Sequence, residues 1–465
     1  MVWNFSLFSG SIAAIDENGN TYSYNDLQTE GEKLAKAIDG RSLVFCVCTN
    51  EIGSLLGYTA FLNNGIVLVM LDSGINSESF NALLEEYKPD YLWTPTRMAS
   101  MGDYACTWSV WNYSLLKTEY NHAFALKDSL ALLLTTSGST GSPKFVRQSY
   151  NNIVANTVSI VQYLELNASE RPITTLPMSY TYGLSIINSH LWVGASIILT
   201  QKSLMEKKFW EQFKDYGATS FGGVPYTYEM LDKLRFNRMD LPSLRTMTQA
   251  GGKLSPELHK KFAEYAEQTG RHFVVMYGQT EATARMSYLP YKKSLEKYGS
   301  MGIAIPGGEF SLIDISGNTI TESDVVGELV YRGENVTLGY AESGSDLSKG
   351  DDNGGILVTG DMAKRDIDGY YYIVGRKKRF LKIFGNRVNL DEAEGLIKAA
   401  FDTECACSGV DDKMSVYLTD YAIIQDVRKY ISERTGLNVS AFEVKVIEKI
   451  PKNEAGKTLY SALED

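Results

Sequence analysis

Short, mostly apolar runs alternate with helical patterns along the first part of this chain. The clearest runs are Ser42 to Cys48, Gly65 to Leu71 and Ala195 to Leu199. Such runs are typical of strands that helices bury on both faces of a sheet. The alternation therefore predicts a layered α/β fold.

The first predicted helix follows Ser23. Leu27, Leu34 and Ile38 share one face of it, as a helix packed on a core requires. Ser23 and Asp26 have the spacing of a capping box. We expect Gly40 to end the helix.

Length and charge limit what the chain can be. With 465 residues, 44% of them hydrophobic, it exceeds one compact domain, and we expect two or three lobes. Its 45 basic and 56 acidic residues give a net charge of -11, which disfavours a nucleic-acid surface. No apolar run reaches the roughly 18 to 20 residues of a membrane span, and residues 1 to 10 do not resemble a signal peptide. A cytoplasmic protein without stable membrane insertion is expected.

The cysteines suggest neither a metal site nor disulfides. Four of the five form two C-x-C pairs without adjacent histidines, and one stands alone: Cys46, Cys48, Cys106, Cys405 and Cys407. We expect buried thiols.

The pattern changes to hairpins from about Glu309, which predicts a small β-rich subdomain over residues 309–377. Its last hairpin, Met362 to Gly375, turns at Asp368-Gly369. A dense basic run then begins at Arg376, and Asn389 opens a capped helix with Glu392 three residues on. Residues 379–465 have the size of a small separate α/β domain.

A loop rich in glycine and hydroxyl groups follows the apolar run Leu130 to Leu134. It reads Thr135 to Pro143 and ends in Lys144. Its glycines let backbone N–H groups approach an anion, and its lysine adds a positive charge. A flexible linker is the alternative, but linkers rarely follow a buried strand directly. Because Ser142 and Pro143 separate Gly141 from the lysine, the loop does not match the Walker A spacing.

Three further segments place polar groups or glycines where strands end. Tyr277-Gly278-Gln279-Thr280-Glu281 follows the run Phe273 to Met276, and Asp361 ends the run that begins at Val358. Thr280 suits a phosphate, Glu281 suits Mg²⁺ and Asp361 suits ribose hydroxyls. Taken alone, Glu281 is better explained as a helix N-cap or a surface carboxylate, and a turn aspartate is the alternative for Asp361. Ala250-Gly251-Gly252 suits either a plain turn or a flat base or substrate lying against backbone.

Together these segments resemble the adenylate-forming superfamily of acyl-CoA synthetases, carrier-protein adenylation domains and luciferases. The resemblance rests on seven motifs that occur in the family's order: Thr136 to Lys144, Tyr277 to Glu281, Gly327-Glu328-Leu329, Thr359-Gly360-Asp361, Gly375-Arg376, Gly385-Asn386-Arg387 and Pro451 to Lys457.

The resemblance implies an N-terminal domain over residues 1–377, a hinge at Lys378 and a mobile C-terminal domain over residues 379–465. It also implies two half-reactions. A carboxylate attacks the α-phosphate of ATP to give an acyl-adenylate and pyrophosphate, and a thiol then takes the acyl group and releases AMP.

The resemblance assigns a role to each motif. Lys457, Thr280, Glu281 and Arg387 act on the reacting phosphate, with Glu281 binding Mg²⁺. The nucleotide contacts are Thr136, Ser137, Gly138, Ser139, Thr140, Gly141, Lys144, Gly251, Gly252, Tyr277, Gly278, Asp361 and Arg376. The acid pocket draws on Tyr180, Gly183, Val224, Ala250 and Gly251, and Gly385 lines the tunnel for the thiol. Lys377, Arg379 and Lys382 match no family role and are interpreted as solubility or acceptor-docking residues.

The resemblance implies that the substrate is a small carboxylic acid. Residues 176–187 contain no acidic side chain to pair an ammonium group, which favours an acid without an α-amino group. The pocket segments, including the residues just after Glu281, indicate an aryl or short-to-medium aliphatic acid, although core packing explains them as well.

Several functions stay open. The leading hypothesis is an acyl-CoA synthetase, and an acyl- or aryl-acid:carrier-protein ligase that loads a phosphopantetheine arm is close behind. No basic site distinctive of coenzyme A is evident, and the C-terminal domain is shorter than usual. A luciferase-like oxygenase and a non-catalytic nucleotide-binding relative are the remaining alternatives.

Overall fold

The computed structural model describes residues 2–99, 104–135, 144–384, 386–452 and 458–463. The chain forms two compact units. The first comprises residues 1–309 and 331–357, and the second comprises residues 310–330 and 358–465.

An eight-stranded sheet forms the centre of the first unit. Its spatial order is Tyr340–Ala341, Phe145–Ser149, Leu130–Thr135, Val67–Asp72, Leu43–Cys48, Tyr91–Pro95, Tyr113–Lys117 and Ala105–Val110. Successive side chains of one strand enter different cores because they point to opposite faces. Val44 and Cys46 pack with the helices Tyr24–Lys36 and Ile52–Asn63, whereas Phe45 packs with the helix Ser77–Tyr87.

A second sheet of the first unit has five strands, in the order Ser220–Gly223, Thr246–Gln249, His272–Tyr277, Ser287–Tyr288 and Ile303–Ala304. Its first three strands run parallel. A three-stranded sheet joins Ile197–Ile198, Ile12–Ile15 and Thr21–Ser23. The remaining helices of this unit are Tyr150–Tyr163, Thr181–Trp192, Lys207–Asp215, Pro225–Lys233 and Pro256–Thr269.

Among its described residues, the second unit contains three sheets and two α-helices. One sheet runs Thr319–Ile320, Gly308–Ile313, Gly327–Gly333, Ile356–Arg365 and Tyr371–Arg376. The others are the pair Phe380–Ile383 and Asn386–Asn389, and the triplet Cys405–Val410, Lys413–Leu418 and Phe442–Val446. The helices Leu390–Phe401 and Ile424–Thr435 pack on the triplet around Ile397, Val416 and Val427.

The predicted α/β class is confirmed. The capping box of Ser23 and Asp26 is present, and Asn389 caps the helix that begins at Leu390. The hairpin turn at Asp368-Gly369 also forms, between strands that pair antiparallel.

Three local predictions are wrong. The first helix ends at Lys36, with Ala37 as its C-cap, so Gly40 lies beyond the helix and does not end it. The strand Ile356–Arg365 continues past Gly360, whose φ is 70°. Asp361 therefore lies inside the strand and not at its end. Cys106 is exposed, whereas the other four cysteines are buried.

Across the described ranges, no helix combines the length and the apolar character needed to cross a membrane.

Candidate active site

The predicted phosphate loop joins two neighbouring strands of the eight-stranded sheet. The strands Leu130–Thr135 and Phe145–Ser149 pair antiparallel, with Thr135 opposite Phe145. Lys144 therefore directly precedes a buried strand. The predicted contacts Thr136, Ser137, Gly138, Ser139, Thr140 and Gly141 lie outside the described residues.

One tyrosine joins Lys144 to Glu281, although the two are far apart in sequence. The ammonium nitrogen of Lys144 lies 4.1 Å from the centroid of the Tyr340 ring. The Tyr340 hydroxyl donates a hydrogen bond of 2.6 Å to Oε1 of Glu281. Burial, together with this carboxylate, raises the pKa of Tyr340 well above its usual value, so the phenol stays protonated and donates. A cation and a carboxylate are thus held on one aromatic side chain.

Arg147 fixes the segment that carries Tyr340. Its fully buried side chain donates to the carbonyls of Leu338 and Tyr340, at 2.7 and 3.0 Å. Its Nη2 also lies 2.5 Å from Oδ2 of Asp352. Pairing of Tyr340 with Val146 across the sheet edge adds backbone hydrogen bonds. The position of Tyr340 therefore depends on a charged residue inside a buried strand.

Glu281 lies in the short helical turn Thr280–Ala282 that follows the strand His272–Tyr277. Both the backbone N–H and the hydroxyl of Thr337 donate to the Glu281 carbonyl, each at 3.0 Å. Gly278 is required here, because a β-carbon at this position would lie 1.6 Å from the Ala284 carbonyl oxygen. The segment Tyr277 to Glu281 thus forms a tight turn after the strand, and Thr280 and Glu281 lie side by side in that turn.

The residues fit a Mg²⁺ ion that arrives with nucleotide phosphates. Oε1 of Glu281 accepts from Tyr340, and no described group donates to Oε2. In the described part of the chain, no group of three His, Cys, Asp or Glu residues could hold a metal by itself. One carboxylate plus phosphate oxygens and water is a common way for proteins to bind Mg²⁺.

The predicted acid-pocket residues come together in one apolar cluster. Val224 and Ala250 are buried in it beside Tyr182 and Met276, and Tyr180 packs against them. Burial raises the pKa of Tyr180 to about 12, so the phenol is neutral near pH 7.

Two glycines allow the close packing around this cluster. Gly251 has a φ of 82°, and a β-carbon there would lie 2.6 Å from the Tyr180 hydroxyl oxygen. A β-carbon on Gly183 would lie 2.4 Å from the Pro177 carbonyl oxygen, so this glycine lets the helix Thr181–Trp192 approach the preceding loop. Gly252 lies beside Pro225, which a β-carbon would approach to 3.0 Å.

One acidic side chain lies near the segment that lacks acids in sequence. The Ser179 hydroxyl donates to Oδ2 of Asp72 at 3.0 Å. Asp72 ends the strand Val67–Asp72, so a strand distant in sequence supplies a carboxylate to Ser179. Residues 176–187 therefore have a carboxylate neighbour in the fold, although they contain no acidic side chain themselves.

In the second unit, Asp361 and Arg376 form an ion pair. Nε of Arg376 lies 2.7 Å from Oδ1 of Asp361, and the two residues are opposite each other in neighbouring strands. The Asp361 side chain is only 4% exposed, whereas that of Arg376 is 57% exposed. The structure thus brings together the two residues predicted to contact the ribose.

Arg379 and Lys377 are not simple surface residues. Arg379 donates to Oδ1 of Asp391 at 2.8 Å and to Oε1 of Glu394 at 2.6 Å, and its guanidinium lies 3.7 Å from the Tyr460 ring centroid. Lys377 pairs with Glu328 at 2.7 Å. The solubility or docking interpretation is wrong for Arg379, because its side chain is only 12% exposed.

The other predicted residues are located by backbone or lie outside the described chain. Lys378 is in the turn Lys377–Arg379, and Arg387 pairs with Lys382 across two strands. Gly385 and Lys457 lie outside the described residues, and the roles assigned to all four stay predictions.

Sequence reasoning missed Tyr340, Arg147 and Arg285. Arg147 and Arg285 each follow a recognised motif within four residues. A charged residue in such an apolar stretch is the sequence signal that could have identified them. Tyr340 had no local signal, because its role comes from contacts with Lys144 and Glu281.

Comparisons with known proteins identify the family of this chain. The family model described as AMP-binding enzyme matches residues 4–341. The chain is 28% identical to an oxalate–CoA ligase of Arabidopsis thaliana and 28% identical to a sulfoacetate–CoA ligase of Cupriavidus necator. Each match covers 71% of this chain and 66% of the relative, so the match spans slightly less than two thirds of those proteins.

The fold is similar to that of the o-succinylbenzoate coenzyme A synthetase of Bacillus subtilis in complex with AMP. The TM-score is 0.81 at 21% identity, over 99% of this chain and 97% of that one. The resemblance read from the seven motifs is confirmed, and the chain belongs to the AMP-binding enzyme family.

Proposed function

We propose that this protein activates a carboxylic acid with ATP and transfers the acyl group to the thiol of coenzyme A. The observation that carries the proposal is the Lys144–Tyr340–Glu281 arrangement. It joins a cation at the end of a phosphate loop to a carboxylate suited to Mg²⁺.

In the first half-reaction, a carboxylate oxygen bonds to the α-phosphorus of ATP as the bond to the pyrophosphate oxygen breaks. Both reactants are anions, so positioning and charge neutralisation matter more than proton transfer. Lys144 and residues 136–143 would hold the leaving β- and γ-phosphates, and Thr280 would bind the α-phosphate. Mg²⁺ on Glu281, when bound, neutralises charge on the phosphate oxygens.

The ribose and the remaining charge are assigned to four further residues, Asp361, Arg376, Lys457 and Arg387. Asp361 suits the ribose hydroxyls, and its pairing with Arg376 orients the carboxylate. Lys457 and Arg387 would lie toward the reacting phosphate. In the second half-reaction the thiol attacks the acyl carbon, the acyl–phosphate bond breaks, and AMP leaves.

The proposed acceptor is coenzyme A. Support comes from the matched relatives, since the oxalate and sulfoacetate enzymes are both named as CoA ligases. Gly385 would line the path of the pantetheine arm. All five cysteines are free thiols, which suits the reducing cytoplasm where we propose the reaction takes place.

Acid-dependent exchange of labelled pyrophosphate into ATP tests the proposal. A panel of aliphatic, aryl and amino acids is screened with Mg²⁺, and Glu281→Gln is compared with Glu334→Gln, a change in a residue with no proposed role. We expect pyrophosphate exchange with at least one acid. Glu281→Gln should lose this exchange, and Glu334→Gln should retain it. Tight ATP binding without exchange for any acid would contradict the proposal.

The best acid is then tested for its acceptor. AMP release that coenzyme A alone stimulates supports the CoA ligase. Release that requires a phosphopantetheinylated carrier protein would instead identify a carrier-protein ligase.

A further inference from the structure

Arg285 carries a buried charge that the proposed chemistry does not yet use. The residue is 2% exposed and follows Glu281 by four positions. Its guanidinium carbon lies 3.8 Å from the centroid of the Tyr182 ring. Its Nε is buried without a hydrogen-bond partner, and no carboxylate of the described residues forms an ion pair with it. Such a charge calls for an anion that the described chain does not supply.

The two residues before Arg285 have a strained backbone conformation. Thr283 and Ala284 have positive φ values of 52° and 87°, which are unfavourable for residues with a β-carbon. Asn335 holds this turn by donating from Nδ2 to the carbonyls of Ala282 and Arg285, at 2.8 and 2.9 Å. The fold therefore maintains a costly conformation that ends in a buried cation.

Arg285 contacts a residue of the apolar cluster that holds the predicted acid-pocket residues. Tyr182 is buried in the same cluster as Val224 and Ala250, and its hydroxyl lies 2.9 Å from Oγ1 of Thr248. A small cavity is lined by Arg285 together with Ile160, Ile186, Phe221 and Thr248. The cation thus borders a space with an otherwise largely apolar wall.

We propose that Arg285 binds a second anionic group of the acid substrate, a carboxylate or a sulfonate remote from the reacting carboxylate. This inference rests on the proposed function and names its substrate class. Arg285 is then a specificity residue that makes a charge-assisted hydrogen bond from Nε to the second anion. A monoanionic acid would leave the guanidinium buried without its partner.

The test compares acids matched in carbon count. Malonate, succinate and glutarate are paired with propionate, butyrate and valerate, and 3-sulfopropionate is added to separate sulfonate from carboxylate. Pyrophosphate exchange is measured for the wild type, Arg285→Met and Arg285→Lys. Arg245→Met is the control, because Arg245 is 43% exposed and pairs with Glu170 outside this cluster.

We expect the wild type to prefer the dianionic member of the pair that fits best. Arg285→Met should lower kcat/KM for that acid by about 10²- to 10³-fold and leave the monoanionic partner unchanged or improved. Arg285→Lys should retain part of the preference. A wild type that prefers the monoanionic acids, or an equal loss for both members of a pair, would overturn the inference.

A binding measurement separates this inference from the proposed function. The thermal midpoint is recorded with each dianionic acid in the absence of ATP, and an upward shift present in the wild type but absent in Arg285→Met supports the inference even if no acid supports exchange. No shift in the wild type with any of them overturns it. Arg285→Met should melt close to the wild type without ligand, because it removes a buried charge that has no carboxylate partner among the described residues but also loses the contact with the Tyr182 ring.

Discussion

At the residue scale, the candidate site depends on a tyrosine that belongs to none of the recognised motifs. The phenol of Tyr340 orients the Glu281 carboxylate, and its ring supports the Lys144 ammonium. A hydrogen bond to a charged group and a cation–π contact are separate contributions. Different substitutions can therefore remove them one at a time.

We predict that Tyr340→Phe lowers kcat/KM for ATP by about 10- to 10²-fold, because a hydrogen bond to a charged group contributes about 1.5–3 kcal/mol. Tyr340→Leu should lower it further, since the ring contact is lost too. Steady-state exchange at varied Mg²⁺ measures both, with Tyr298→Phe, an exposed tyrosine, as control. Wild-type kinetics for both Tyr340 variants would contradict the prediction.

Arg379 is expected to matter for stability rather than chemistry. Arg379→Met removes the closer cation of Glu394, whose side chain is 8% exposed, and leaves, among the described residues, only Lys398 at 3.8 Å. Breaking a buried pair costs about 3–5 kcal/mol. Hydrogen exchange over residues 390–401 should therefore quicken. Lys382→Met, a change at an exposed neighbour in the same basic run, should leave it unaltered, and equal exchange in the two variants would exclude the buried-pair role.

At the element scale, strands and capped helices were predictable because their signals are local. The run Leu130 to Leu134 is a buried strand, and Ser23 and Asn389 cap helices as their spacing indicates. The contact of Arg285 with Tyr182 could not be predicted in this way, because only the folded chain brings the two side chains together. The hydrogen bond from Ser179 to Asp72 has no local signal for the same reason, because it too joins different elements.

The helix Thr181–Trp192 should make stability depend on pH through His190. Burial lowers the pKa of His190 to about 4, below the value near 6.5 of an unfolded histidine. As pH falls from about 6.5 to 4, the unfolded chain gains a proton that the folded chain does not, so the free energy of unfolding falls. The shift corresponds to at most about 3 kcal/mol.

Replacing His190 should remove this dependence. His190→Leu is expected to make the decline of the thermal midpoint between pH 6.5 and 4 less steep. Part of the decline should remain, because burial also lowers the pKa of His259 to about 4. His122→Gln, a change at an exposed histidine, should leave the decline intact. A decline of wild-type steepness in His190→Leu would refute the assignment.

At the scale of the whole molecule, the two half-reactions should depend on different residues. Lys457 is proposed to bridge the attacking carboxylate and the ribose, so Lys457→Ala should lower adenylation by about 10²- to 10³-fold. Transfer from a preformed acyl-adenylate to coenzyme A should be spared. Rapid-quench measurement of each step tests this prediction, and an equal loss in both steps would show that the lysine does not act on adenylation alone.

The central claim, that a carboxylate oxygen attacks the α-phosphate of ATP, has a direct isotopic test. The acid that best supports exchange is labelled with oxygen-18 in its carboxylate and incubated with the enzyme, ATP and coenzyme A. The oxygen-18 content of the products is then measured by mass spectrometry. The account predicts AMP that carries one oxygen-18 atom, because thioester formation leaves the bridging oxygen on the phosphate. Unlabelled AMP, or release of ADP and phosphate in its place, would contradict it.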